Sequence, residues 1–334
     1  MTVLTFNDIY AAHRRIENVV SRTRLVGASW ASCGHRSLLL KPENLQITGS
    51  FKIRGAYHRL LRLSEAQKAR GVVARSSGNH GKALAHAARR EGVKATVVVP
   101  TDAARVKTDG ILAQGAEVVF APAQDCARVT EQLAEEHGRV IVPPFDDLDI
   151  IAGQATVGLE IAEDVVSSEL GVTTVLVPVS GGGLISGVAA ALKLTRPGIK
   201  VIGVEPEVAA DARESLRTGR RVTWPADRVG ATMADGLRMT TVGEHTFAHM
   251  RAFVDDIVTV TEDEIASGVA LLARHAGMTV EPSGAVTTAA FLYHEHELPS
   301  AGEHVAVISG ANVDPHLFAR LRDMYPLPFR TCTR

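Results

Sequence analysis

Lys41-Pro-Glu-Asn-Leu-Gln-Ile-Thr-Gly-Ser-Phe-Lys-Ile-Arg-Gly-Ala56 is the stretch on which the reading of this chain turns. It sets Lys52 between Phe51 and Ile53, with Gly49 and Gly55 close on either side. A lysine that loses hydration in apolar surroundings has a lowered pKa, and its free amine becomes a usable nucleophile. A surface lysine whose stem covers apolar neighbours would read the same way from these residues alone. Leu38-Leu-Leu40 predicts a short buried strand leading into the segment, the Gly49–Ser50 pair a turn, and residues 53–63 a helix.

Outward from that segment, the chain alternates short β-branched runs with helical stretches. Strands are expected at Val72-Val-Ala74, Ala95-Thr-Val-Val-Val99, Glu117-Val-Val-Phe120 and Arg139-Val-Ile-Val142, with helices between them. Pro143-Pro-Phe-Asp-Asp147 interrupts the pattern as an interdomain crossing. The alternation resumes with a helix over 153–167 and strands at Thr174-Val-Leu-Val-Pro178, Lys200-Val-Ile-Gly-Val204 and Val305-Ala-Val-Ile-Ser309. The span 219–255 reads as loop-rich, and Thr261-Glu-Asp-Glu264 offers a capping box for a helix to about 276. Residues 6–20 form an amphipathic helix with Asn7 as its expected N-cap. Continuous apolar strands separated by helices mean parallel sheets covered on both faces, and in such α/β folds ligands bind at the carboxyl ends of the strands.

The 334 residues include 36 Lys and Arg against 37 Asp and Glu, a net charge of −1, so no basic field exists to attract nucleic acid or an anionic membrane. A small molecule is the expected partner. Cys33, Cys126 and Cys332 form no Cys-x-x-Cys pair and are odd in number, which argues against a disulfide framework and a zinc site and fits a reducing cytoplasm. The N-terminus lacks a basic-then-apolar secretion pattern, and no apolar run reaches the roughly 18 residues of a membrane span, so the chain is expected to act uncleaved.

Two loops have the chemistry of anion sites. Arg75-Ser-Ser-Gly-Asn-His-Gly81 follows a strand and opens a helix, turning backbone N–H groups toward any carboxylate at that helix N-terminus, although Ser77 or Asn79 could simply cap it. Ser180-Gly-Gly-Gly-Leu184 lies between a strand and a helix, and its glycines admit a phosphate without any basic side chain. The Gly-x-Gly-x-x-Gly spacing of a dinucleotide loop is only loosely approached, and no opening βαβ unit carries it. Glu205-Pro-Glu-Val-Ala-Ala-Asp211 offers hard oxygen ligands suited to magnesium, calcium or manganese. No His-Glu-x-x-His or Gly-x-Ser-x-Gly pattern is present, so hydrolase and zinc-lyase readings gain little.

Taken with the lysine segment, these motifs resemble the fold-type II pyridoxal-phosphate enzymes, and more narrowly the threonine/serine dehydratase and serine racemase group. The motifs stand in the family's order from 41 to 314. The resemblance implies an α/β fold of the tryptophan synthase β-like kind with the cofactor in a cleft between two parallel-sheet domains. Residues 1–67 and 148–334 would form the large cofactor-binding domain and 68–147 the small one. It implies Lys52 as the Schiff-base lysine and α-proton base, and Ser77 as the proton-handling residue on the opposite face. Phe51, Asn79, Ser180, Gly181, Gly182, Gly183, Leu184 and Ser309 would bind pyridoxal 5′-phosphate, with Ser309 facing the pyridine nitrogen. Ser76, Ser77, Asn79, His80 and Arg128 would bind substrate. Glu205, Ala209 and Asp211 fall on the positions of a divalent-metal site, most simply for Mg²⁺.

The implied activity is α,β-elimination of a β-hydroxy amino acid, L-threonine or L-serine first, to a 2-oxo acid and ammonia. The alternatives are a serine racemase, a threo-3-hydroxyaspartate dehydratase, or a non-catalytic cofactor-binding protein. A homodimer without a regulatory module after residue 334 is expected. The chain departs from the family pattern at Arg75 and Lys82, two added cations beside the substrate loop that could favour an acidic side chain or point outward. Glu281-Pro-Ser-Gly-Ala285 resembles a cofactor-side helix start, with Ser283 as a simple N-cap equally able to explain it.

Overall fold

The computed structural model describes residues 2–329 apart from 77, 102 and 104, and the backbone alone of 105–107. Among the described residues the strands form two sheets. The first is six-stranded, in the order β1-β2-β10-β7-β8-β9, from β1 (Val26–Gly27), β2 (Arg36–Lys41), β7 (Val172–Pro178), β8 (Lys200–Pro206), β9 (Asp256–Val260) and β10 (Gly302–Val307). The second is four-stranded, in the order β5-β4-β3-β6, from β3 (Val72–Arg75), β4 (Ala95–Pro100), β5 (Glu117–Ala121) and β6 (Val140–Ile141). All pairings are parallel except the antiparallel β1–β2 edge. Apolar and β-branched residues dominate β4, β7 and β8 because helices cover both faces.

The helices used below are α1 (Phe6–Ile16), α2 (Lys52–Leu61), α3 (Glu65–Arg70), α4 (Asn79–Arg90), α5 (Arg105–Leu112), α6 (Cys126–His137), α7 (Leu148–Ser167), α8 (Gly183–Thr195), α9 (Asp211–Thr218), α10 (Ala226–Gly230), α11 (Glu244–Phe253), α12 (Glu262–Ala276), α13 (Pro282–Tyr293) and α14 (Pro315–Asp323). None is long and apolar enough to cross a membrane, among the described residues.

Helix α2 places Lys52 at its first position and anchors it through Ile53, Ala56, Tyr57 and Leu60, which join the apolar core under β3, α4 and β4. Each large buried side chain of this set contributes about 1.5–3 kcal/mol. On its other side α2 packs against α7 at very short range. A Cβ on Gly55 would lie 2.4 Å from Gln154 Nε2, and one on Gly153 would lie 2.6 Å from the Arg54 carbonyl oxygen. The two helices can cross at this distance only because both positions lack a side chain.

Several expectations shift at element ends. The first helix is capped by Thr5, whose side chain and that of Asp8 form a reciprocal capping box, so Asn7 lies inside the helix. The loop-rich span holds α10 and α11 and leads directly into β9. Helix α13 is apolar on all sides and buried along nearly its full length, which leaves no amphipathic period to detect. The expected capping box at Thr261 and Glu264 is present at α12. Cys126 is a buried thiol outside any disulfide that donates to the Ala121 and Pro122 carbonyls, whereas Cys33 is disulfide-bonded. An odd count of cysteines argues against a complete framework but does not prevent one bridge.

Candidate active site

The lysine segment runs beside the loop that follows β10. Phe51 N–H donates to the Ser309 carbonyl (3.1 Å), Ala311 N–H donates to the Gly49 carbonyl (2.8 Å), and Ser50 bridges Gly310. Gly49 has φ +76°, and a Cβ there would lie 2.7 Å from Asn312 Oδ1. Glycine is needed at this turn both for its backbone and for its neighbour.

These contacts bring Lys52 to the wall of a cavity of about 450 Å³ at the carboxyl ends of the strands. Phe51, Ser76, Asn79, His80, Ser180, Gly181, Gly182, Gly183, Leu184 and Ser309 also line it. Lys52 Nζ donates to the Pro144 carbonyl (2.7 Å). Although part of its surface faces the open cavity, the amine is enclosed by protein, and burial lowers its pKa from 10.5 to about 8 against the opposing pull of Glu281.

The glycine loop opens α8. Gly182 sits at the N-cap with φ +91°, where a Cβ would meet Thr246 at 2.9 Å. Cβ atoms on Gly181 and Gly183 would lie 2.5 and 2.9 Å from Phe145. Phe145 therefore roofs a bare backbone cradle at a helix N-terminus, the arrangement that binds phosphate through N–H groups. Asp146, next along, accepts from the N–H groups of Glu244, His245 and Thr246 and fixes the start of α11 against this loop. Thr246 Oγ1 donates to the Gly181 carbonyl (2.7 Å).

On the facing wall, Ser76 Oγ accepts from Gly78 and Gly81 N–H groups and shapes the entry to α4. His80 Nε2 lies 2.9 Å from the Val142 carbonyl oxygen, which makes it the donor, and burial together with Lys52 lowers the ring pKa to about 3. The neutral ring then leaves Nδ1 as an acceptor. Any anion at this helix start must be held by the His80 backbone N–H, not by its imidazole. Ser77 lies outside the described residues. Ser309, 4% exposed, directs its hydroxyl to the Ser283 carbonyl (3.4 Å).

A lysine and two loops that open helices with the backbone geometry of anion sites thus converge on one cavity. Residues 16–310 match the family model described as "Pyridoxal-phosphate dependent enzyme". The chain belongs to that family. It is 43% identical to the L-threonine ammonia-lyase of Thermotoga maritima, over 96% of this chain and 78% of that protein. It is 37% identical to the L-threo-3-hydroxyaspartate ammonia-lyase of Saccharomyces cerevisiae, over 96% of this chain and 97% of that protein. Among solved structures, the serine racemase of Dictyostelium discoideum superposes with a TM-score of 0.85 at 40% identity, covering 94% of this chain and 100% of that one.

In this pyridoxal-phosphate enzyme the residues lining the cavity fit the cofactor. The cradle of Gly181–Gly183 is one that a Cβ would fill, and Lys52 faces the same space. Arg128 is corrected. It lies on α6, with its side chain 66% exposed and its guanidinium 3.4 Å from Asp125 one turn earlier, and it does not line the cavity. The local sequence around it says only that it sits on a helix, and the exposed face of that helix is where it falls.

Glu205, near the end of β8, and Asp211, at the start of α9, are both buried, with Ala209 in the turn between them. Burial and then Asp211 push the Glu205 carboxyl well above its usual range, while burial raises Asp211 to about 7. Glu205 accepts from Ala212 and Arg213 N–H groups, but Asp211 Oδ2 is buried without a partner. An orphaned carboxylate oxygen beside a second carboxylate is a donor set that suits a hard divalent cation.

Sequence reasoning missed Phe145 and Asn312, and gave Glu281 no role of its own. All three line the cavity, and their places follow from tertiary packing, not local pattern. Ser283, expected as an N-cap, lies inside α13 and accepts from Gly236 N–H (2.9 Å), with Glu281 at the cap position instead.

Proposed function

We propose that this enzyme is a dehydratase that converts a β-hydroxy amino acid, L-threonine or L-serine first, to a 2-oxo acid and ammonia by α,β-elimination. The observation that carries the reading is the meeting of Lys52, with its lowered pKa, and both anion loops in one cavity. Pyridoxal phosphate, when bound, supplies an electron sink for charge developing at the substrate α-carbon.

The chain's residues do the rest. The bare amides of Gly181–Leu184 hold the phosphate. Lys52 would hold the cofactor as its covalent anchor, and its free amine is the group that would take the α-proton. An amine titrating near 8 is about one-tenth unprotonated at pH 7 and about half unprotonated at pH 8, far more than an ordinary lysine offers as a base. The amides at the start of α4, with Ser76, hold the substrate carboxylate, and Asn79 faces the cofactor ring. Ser309, turning its hydroxyl from the Ser283 carbonyl, would offer the ring nitrogen a group too weakly acidic to protonate it, which would favour prompt loss of the β-hydroxyl over slower chemistry. Ser77 would handle a proton on the face opposite Lys52, the route by which racemisation competes.

A second reading is favoured by Arg75 and Lys82, which add two cations to the cavity lining and suit an acidic side chain such as that of 3-hydroxyaspartate. One amino-acid panel tests both, with 2-oxo acid, ammonia and D-enantiomer measured together. Threonine or serine turned into a 2-oxo acid supports the first reading. Turnover confined to 3-hydroxyaspartate moves the assignment to the second, and racemisation without any 2-oxo acid removes both.

The domain division at 67/68 and 147/148, homodimerisation and a Mg²⁺, Ca²⁺ or Mn²⁺ site at Glu205, Ala209 and Asp211 are further parts of this proposal. The metal part predicts that Mg²⁺ raises the melting temperature of the wild type but not of Asp211→Ala. Light scattering at the mass of one chain would remove the dimer.

A further inference from the structure

Lys82 is the one of the two added cations whose amine is engaged inside the cavity wall. It lies one turn after Asn79 on α4, so both side chains emerge on the same face. Its stem passes Gly110 of α5, and its amine, half-buried, donates to Asn312 Oδ1 (2.7 Å). Asn312 in turn donates from Nδ2 to Asn79 Oδ1 (2.7 Å) and to the Thr48 carbonyl (2.9 Å). Asn79 donates from Nδ2 to Glu281 Oε1 (2.7 Å).

The two ends of this chain have fixed polarity. An ammonium group can only donate and a carboxylate can only accept, so each amide between them has one permitted orientation. Reversing either amide would set oxygen against oxygen at one end or N–H against N–H at the other. One N–H of Asn79 Nδ2 is taken by Glu281, which leaves the second, and Asn79 lines the cavity. A charged donor at the head also polarises the chain and strengthens the donor at its far end.

We propose that Lys82 is a positioning residue that acts through Asn312 to hold the Asn79 amide with its N–H group toward the cofactor. The inference rests on the reading above, in which Asn79 faces the ring oxygen of pyridoxal phosphate. It gives Lys82 a task in this chain other than contact with a substrate's side chain. It also explains why Gly49 must lack a side chain, since Asn312 occupies that space.

The test uses the holoenzyme and its colour. Lys82→Met keeps the length of the side chain and its helix propensity while removing the donor. Asn312→Asp keeps the partner for Lys82 but cannot donate to Asn79. Each is expected to weaken cofactor retention by about tenfold, to move the visible absorbance maximum and to shift the pH at which that absorbance titrates. Lys82→Arg, which still only donates, should restore the wild-type spectrum. The double variant should lose little more than either single one, because both act on the same amide.

A coloured wild type with a Lys82→Met variant of unchanged spectrum, titration and cofactor affinity would overturn this inference alone. If that variant's only defect were a raised KM for an acidic amino acid, Lys82 would be a substrate contact instead. Full additivity in the double variant would also overturn it. A colourless wild type would overturn the functional reading and this inference with it.

Discussion

Lys52 and Arg54 are two residues apart in sequence, yet each belongs to a different kind of buried charge. Arg54 lies in a closed network with Lys41, Glu43 and Glu160, all nearly inaccessible. Its guanidinium donates to Glu43 from Nε and Nη2 (both 2.8 Å) and to Glu160 from Nη1 and Nη2 (2.7 and 2.9 Å). Lys41 donates to Glu160 (2.6 Å) and to the Thr23 carbonyl. Two cations meet two carboxylates. Burial alone would raise the Glu160 carboxyl, but Arg54 and Lys41 outweigh it and hold it at about 2.

Across α2 the cavity group is under-compensated. Lys52 reaches a backbone carbonyl, burial depresses both Lys52 and Lys82, and His80 stays neutral. The paired network fixes where α2 starts, and the under-paired group keeps an amine ready to react. Stability and reactivity are thus divided between neighbours on one segment.

The largest effect should come from breaking the paired side. Arg54→Leu leaves two buried carboxylates with Lys41 alone, and urea unfolding should show a loss of about 3–5 kcal/mol. A loss under about 1 kcal/mol would mean that the network does not hold the segment.

On the other side, the sign of the charge effect reverses. The unfolded chain binds a proton at Lys52 up to pH 10.5, the folded apo enzyme only to about 8, so the unfolded state carries more protons between those values. The stability contribution of Lys52 is therefore lowest and flat below about 8 and rises with pH toward 10.5. Lys52→Met should be more stable than the wild-type apo enzyme at neutral pH, with an advantage that shrinks across this window. An advantage independent of pH would contradict the difference drawn between the two groups.

A smaller effect is expected from the phosphate cradle. A Cβ at Gly183 would come 2.9 Å from that of Phe145, so Gly183→Ala should weaken cofactor binding by about 1–3 kcal/mol while leaving Arg54's network intact. Smallest of all is Arg128→Ala, whose exposed side chain touches neither group. Its kcat/KM should stay within about twofold of wild type.

Much of this arrangement is readable in the sequence where a local pattern carries it. The β-branched runs at β3, β4, β7 and β8 declare a parallel sheet, and the glycines before α8 declare an anion loop. Lys52 is legible because the turn that presents it, Gly49–Ser50, lies within a few residues. Other parts have no local signature. Asn312 and Glu281 reach Asn79 from more than two hundred residues away, and their polarity becomes meaningful only once the chain has brought them together. Helix α13 is buried all round and so lacks a period, and Phe145 acts by filling space that two distant glycines, Gly181 and Gly183, leave open. Arg128 shows the opposite failure, a local likeness whose helix face turns to solvent.

The central claim is that Lys52 carries pyridoxal phosphate in this cavity. Visible absorption of the purified wild type and of Lys52→Ala, each incubated with the cofactor and then freed of excess, tests it most directly. The wild type should retain a visible band typical of a lysine-bound cofactor and lose it on borohydride reduction, while Lys52→Ala should show no such band. A colourless wild type, or a Lys52→Ala variant with the wild-type band, would contradict the account.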